Sequence, residues 1–186
     1  DLFDARREQQ EGALDTDGKL AASIAKAGNV LIPSVFALGE PQGKADKPLP
    51  AAALKSALDE NNGFSHPSVS TQQPIDLIAN AAAGIGHLTQ LVDVDGAVRQ
   101  EALLVNYYGK AVPSMALLAA AKSLNLAPKD IRLNSGESVQ IGKLRVKTDE
   151  FAHMYPQCYK GRDGKPAFAV DSFFDVLSGK IPAAKY

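Results

Sequence analysis

His87-Leu88-Thr89-Gln90-Leu91-Val92-Asp93-Val94 runs into Asp95-Gly96 and continues as Ala97-Val98-Arg99-Gln100-Glu101-Ala102-Leu103-Leu104-Val105-Asn106-Tyr107. Both runs are rich in strand-forming residues. Asp-Gly between such runs signals a hairpin, because a type I′ turn needs positive φ at both central residues. The segment therefore reads as two long antiparallel strands, with Asp93, Asp95 and Gly96 as structural turn residues.

Outward from this hairpin, helical and extended patterns alternate. Downstream, Pro113 to Leu124 is a helix, apolar nearly all round and so expected to bury against a sheet. Short strands are expected at Ile131 to Leu133, Ser138 to Ile141, Leu144 to Val146 and His153 to Tyr155. Gly161 to Pro166 reads as a turn, and Asp171 or Ser172 caps a short helix over Phe173 to Leu177. Upstream, Asp15-Thr16-Asp17 offers helix caps, Leu20, Ala21, Ile24 and Ala27 follow at helical spacing, and Gly28 is a stop. Asn29 to Phe36 reads as a buried strand that Pro33 places near an edge or a bulge. After a Gly- and Pro-rich loop from Gly39, a helix from Pro50 to Leu58 ends at Asn61-Asn62-Gly63. Another helix opens at Pro74, carries Ile75, Ile78, Ala79 and Ala82, and stops at Gly84. The fold class that follows is α/β, a mixed β-sheet including a long hairpin and flanked by helices, with α+β as the alternative.

Composition bounds the function. Apolar residues make up 45% of the 186, enough for a real core, with no Trp and 6% aromatics. Twenty basic and 21 acidic residues leave a net charge of −1, which gives no electrostatic basis for binding nucleic acid. The lone Cys158 cannot form an internal disulfide. No apolar run approaches the roughly 20 residues that span a bilayer. The acidic, Met-less start reads as an excised piece of something longer, comprising one domain over residues 1–186.

No constellation carries obvious chemistry. His66, His87 and His153 are far apart in sequence and lack helical pairing, so no metal is expected. Asp93-Val94-Asp95-Gly96 has the opening of a calcium loop but not its later ligands. Cys158 reads as a small buried filler; a reactive thiol would need an orienting base and an electropositive niche, for which Lys160, Arg162 and His153 are conceivable neighbours. The adjacent carboxylates Asp59-Glu60 and Asp149-Glu150 read as solvated. Arg99 lies opposite Asp93 across the turn and reads as its ion-pair partner, or else as an anion-binding arginine. No catalytic residues and no cofactor are expected.

Four segments, in order, resemble the CHASE2 family. The first is Asp17-Gly18-Lys19-Leu20-Ala21 through Gly28-Asn29-Val30-Leu31. The second is Ala82-Ala83-Gly84-Ile85-Gly86-His87-Leu88 with Asp93-Val94-Asp95-Gly96-Ala97-Val98-Arg99. The third is Pro113-Ser114-Met115-Ala116-Leu117. The fourth is Tyr155 with Ser172 and Asp175-Val176-Leu177-Ser178-Gly179-Lys180-Ile181-Pro182. In this resemblance Asp1-Leu2-Phe3 is the tail of an early strand. The Gly39 to Pro50 loop and Tyr155 to Tyr159 match poorly.

The resemblance implies an extracytoplasmic, signal-input domain of a bacterial membrane receptor. Such a domain is periplasmic or on the outer face of the cell membrane and is tethered through segments outside this chain. The output would be a cytoplasmic cyclase, diguanylate cyclase or kinase. The expected partners are an unidentified small-molecule ligand and a second copy in a homodimer. His87, Arg99 and Tyr155 are the candidate ligand-binding residues. The competing readings are a ligand-free structural or dimerisation ectodomain and a periplasmic hydrolase.

Overall fold

The computed structural model describes residues 15–59, 65–134 and 136–185. The expected strand tail at Asp1 to Phe3, the Asn61 to Gly63 stop, Glu60 and Phe64 lie outside them. The described chain divides into two compact units, up to Tyr155 and from Pro156.

In the first unit, α1 (Thr16–Ala27) opens as its sequence dictates. The Asp15 carboxylate accepts from the Gly18 N–H at 2.8 Å, and Gly28 closes the helix in the left-handed conformation. β1 (Leu31–Leu38) follows. α2 (Ala51–Ser56) is shorter than the Pro50 to Leu58 expected. Ala57 is already extended, and Leu58–Asp59 forms β2. Six residues cannot hold a helix by propensity alone, so pairing of Leu58 with Ala111 and the Asp59–Lys110 ion pair win. Next come β3 (His66–Gln72), α3 (Asp76–Ala81) and β4 (Gly84–His87).

The long hairpin is narrower than expected. Beyond β4 the chain pairs only at the Leu91–Gln100 bridge before the turn, and regular strands resume as β5 (Glu101–Ala102) and β6 (Leu104–Tyr107). The turn also differs from type I′. Gly96 donates to the Asp93 carbonyl and Asp93 to the Ala97 carbonyl, both at 2.9 Å, and only Gly96 has positive φ (82°). This is the three-residue loop in which glycine takes the left-handed position of a bulge. The type I′ geometry occurs instead at Tyr108-Gly109, with φ of 49° and 86°, between β6 and β7 (Lys110–Pro113). There the Asn106 side-chain oxygen accepts from the Gly109 N–H.

The strand order β2-β7-β6-β3-β1-β4 is mixed: β1/β4 and β3/β6 are parallel, and the remaining pairs antiparallel. The α/β class thus stands. The sheet curls, since His87 at the end of β4 forms a parallel bridge with Ser114, next to β7. Pro33 is accommodated because β1 pairs with β4 over Leu31 to Ser34 but with β3 only from Val35. The Ser34 carbonyl faces β4, accepting from Leu88, so alternation turns the donor-less Pro33 nitrogen to the unpaired side.

Two apolar clusters line the sheet. One gathers Phe36, Leu49, Ala52, Ile85, Val105, Tyr107 and Val112; the other gathers Leu104, Ala111, Leu117, Leu118, Ile131, Val139 and Ile141. α4 (Met115–Ser123), capped by the Ser114 hydroxyl, buries Leu117, Leu118 and Ala121 and leaves its other face open, so it is less enclosed than its composition implies. A meander of β8 (Ile131–Asn134), β9 (Ser138–Ile141) and β10 (Leu144–Lys147) completes the second cluster. β11 (His153–Met154) pairs with β5.

The second unit holds a type I′ turn at Asp163-Gly164, where Lys165 donates to the Arg162 carbonyl. It also holds α5 (Phe173–Leu177), capped by Ser172 as read from sequence.

Two glycines serve different needs. A Cβ on Gly86 would lie 3.0 Å from the Met115 nitrogen and from Leu118, whereas one on Gly96 would meet nothing within 4 Å. Gly86→Ala is expected to destabilise by about 1–3 kcal/mol through overpacking. Gly96→Ala is expected to cost about 1–2 kcal/mol through backbone strain alone. Urea unfolding of both variants checks this, and a large residue at each position separates the causes: the loss grows at Gly86 and not at Gly96.

Candidate functional site

The three residues singled out from the sequence occupy separate surroundings. His87 is 1% exposed. Its Nδ1 accepts from the Thr89 N–H at 3.3 Å, so the proton sits on Nε2, which has no partner among the described residues. Burial pushes its pKa down to about 4. The edge of Phe36 meets the ring at 6.4 Å.

Arg99 is exposed and ion-paired. It donates to Asp95 through both terminal nitrogens (2.8 and 2.7 Å) and to Asp93 (2.7 Å). These pairs, Asp95 first, raise the guanidinium pKa, and Arg99 lowers that of the Asp95 carboxyl. An incoming anion would have to displace two carboxylates to reach this arginine. Tyr155 is exposed, and its hydroxyl accepts from the Gln100 side chain at 2.7 Å. None of these bonding partners is shared between the three residues. Cys158 is exposed in the second unit rather than the buried filler expected from the sequence.

The convergence lies elsewhere, in residues the sequence separates widely. His66 opens β3 and pairs with Val105, while His153 opens β11 and pairs with Ala102. One stretch, Glu101 to Tyr107, is the ruler for both pairings, and it brings His66 Nδ1 to 3.3 Å from His153 Nε2. On the other side of the ring, His153 Nδ1 lies 3.1 Å from Asp149 Oδ2. Asp149 is itself fixed, because its Oδ1 accepts from the backbone N–H groups of Phe151 and His153, both at 2.9 Å. This turn forces Ala152 to φ 61° and lets the Ala152 carbonyl accept from Leu103.

Phe151 stacks on His153 with ring centroids 5.8 Å apart and lies 6.2 Å from the His66 ring. His153 is buried and His66 half-buried. Burial first, then the neighbouring His153, lowers the His66 pKa, against the raising influence of Glu40 and Asp149.

Asp149 was read from sequence as a solvated carboxylate. It instead orders a turn and sets the tautomer of a histidine. The available signal was Asp149 and His153 four residues apart in an irregular segment. Nothing local could link His66 to them.

A separate cleft is lined chiefly by Leu31, Ala83, Leu118, Leu126 and Pro128, with Ser56 and Lys122 as its polar groups. It offers contact area but little means of orienting a ligand. Among the described residues no helix is long and apolar enough to cross a membrane, and no group of three or more His, Cys, Asp or Glu is placed to hold a metal.

The model of the CHASE2 domain matches residues 1–186, the whole chain. No curated protein and no solved structure matches it.

His87 supplies a pH test of the described geometry. A histidine held neutral in the fold and free to protonate when unfolded gives stability that is complete above its ordinary pKa of 6.5 and is lost as pH falls from there towards about 4. Between pH 7 and pH 5 the loss due to this group is about 2 kcal/mol. Urea unfolding at both pH values is expected to show that much less acid sensitivity in His87→Gln than in the parent chain.

Proposed function

The chain belongs to the CHASE2 family of extracytoplasmic sensory domains, and from that membership we propose that it is the signal-input domain of a transmembrane receptor. The match over the full 186 residues carries this reading. The domain would sit on the outer face of the inner or cell membrane, tethered by flanking segments. It would bind a small ligand and pass the signal to a cytoplasmic cyclase or kinase.

For the binding surface, the residues around His66, His153, Phe151 and Tyr155 are favoured over the Asp93–Arg99 turn. Imidazole and phenol groups can offer a polar ligand both donors and acceptors, whereas Arg99 is held by the two aspartates of its own turn.

Cys158, the sole cysteine of this chain, tests the location. In cells producing the full-length parent, with the outer membrane permeabilised where there is one, a membrane-impermeant maleimide is expected to label it. Cys158→Ser serves as the control. Labelling that appears only after the inner membrane is lysed would overturn the reading.

Leu88, Val92, Val94 and Val98, exposed around the Asp93–Gly96 turn, support a second reading as a dimerisation module. Under that reading, sedimentation across concentration shows a dimer that Val94→Lys dissociates. Under the sensor reading alone, Val94→Lys leaves the distribution unchanged.

A further inference from the structure

The geometry points to a divalent transition-metal site in which His66 Nδ1 and His153 Nε2 are the two protein ligands and Asp149 positions the second imidazole. Three observations carry it.

The first is the spacing. The two ring nitrogens face each other 3.3 Å apart. Two nitrogens each about 2.0–2.1 Å from a tetrahedral ion stand roughly 3.3–3.4 Å apart.

The second is the orientation of His153. Its Nδ1 faces Asp149 at 3.1 Å, which places the proton there and leaves a lone pair on Nε2, directed at His66. A carboxylate behind a histidine, fixing its tautomer and raising its basicity, is the arrangement that metal-binding histidines use. Asp149 is held for this task by two backbone donors.

The third is the surroundings. Phe151 lies along the His153 ring and restrains it, while the half-buried His66 leaves a way in from solvent.

Imidazole pairs of this kind select Zn²⁺, Ni²⁺ or Cu²⁺ over Mg²⁺ or Ca²⁺, which need oxygen ligands. Among the described residues no third side chain completes the set. The remaining positions fall to water or to a small chelating anion, so the ion could itself become the contact point for a carboxylate ligand. The site stands on these side chains alone and does not depend on the receptor role.

The test titrates Zn²⁺ calorimetrically into the metal-stripped 186-residue chain at neutral pH, with Mg²⁺ as the comparison. Expected is saturable uptake of one Zn²⁺ per chain, at least tenfold weaker in His66→Gln and about 10–100-fold weaker in Asp149→Asn, with no Mg²⁺ uptake. Proton NMR of the unaltered chain, which has three histidines, gives a readout free of folding effects. Substoichiometric Ni²⁺ should broaden the ring signals of His66 and His153 and spare His87. Absence of saturable Zn²⁺ binding at millimolar metal, equal binding by a folded His66→Gln chain, or broadening of His87 alone would each overturn the site.

Discussion

The strand Leu104–Tyr107 buries apolar side chains on both of its faces, and the architecture follows from that. Leu104 packs into one apolar cluster while Val105 and Tyr107 pack into the other, so both sides of a four-residue strand must be covered. A strand buried on both faces cannot slip by one residue without exchanging its two sets of side chains, so its register is strongly specified. That register is transmitted outward. β7 pairs with it antiparallel through the Tyr108-Gly109 turn, β3 pairs parallel from His66, and the preceding β5 pairs with β11. Leu103, at the bend between β5 and β6, donates to Ala152 and accepts from Ser114, which ties the histidine turn and the start of α4 to the same point.

How much of this was legible follows the range of each signal. Caps and stops depend on neighbours within a turn, so Asp15, Gly28 and Ser172 act as their sequences indicate, whereas the helix expected from Pro113 starts only at Met115, because Pro113 belongs to β7 and Ser114 is the cap. Asp95-Gly96 misled in detail, because the dipeptide permits a type I′ turn without requiring one. The chain spends its two-residue turns at Tyr108-Gly109 and Asp163-Gly164, and at Asp95-Gly96 it uses the longer loop that lets Arg99 reach both aspartates. Leu58 shows the opposite failure: its helical neighbours argued locally, but a strand partner contributed from Ala111 outweighed them. His66 and His153, 87 positions apart, meet only because two independent strand pairings share one ruler. No periodicity in the sequence encodes that.

The unpartnered Nε2 of His87 is a second consequence of the curl. Closing the sheet from β4 to Ser114 places the imidazole inside, where among the described residues it is bonded by the Thr89 N–H alone. A buried donor left without an acceptor costs about 1–3 kcal/mol. The surrounding fit offsets this: Phe36 meets the ring edge-on, and the Thr89 hydroxyl continues the pairing of β1 by accepting from the Phe36 N–H. The histidine is therefore kept neutral by its position, and its role is to fill the point where the sheet closes.

A sensory domain needs a place where binding distinguishes two conformations, since a ligand that contacts both equally shifts nothing. Under the proposed sensory role, the His66–His153 junction is the place suited to that requirement, because its two halves belong to different sheets. His66 belongs to the six-stranded sheet, and His153 to the two-stranded β5–β11 ribbon with the Asp149 turn behind it. The bend at Leu103 joins β5 of the ribbon directly to β6 of the larger sheet. A ligand held by both rings favours the arrangement in which they are 3.3 Å apart and loses a contact in any other. A ligand held by Arg99 and its aspartates would gain no such leverage, because all of its contacts lie on one turn.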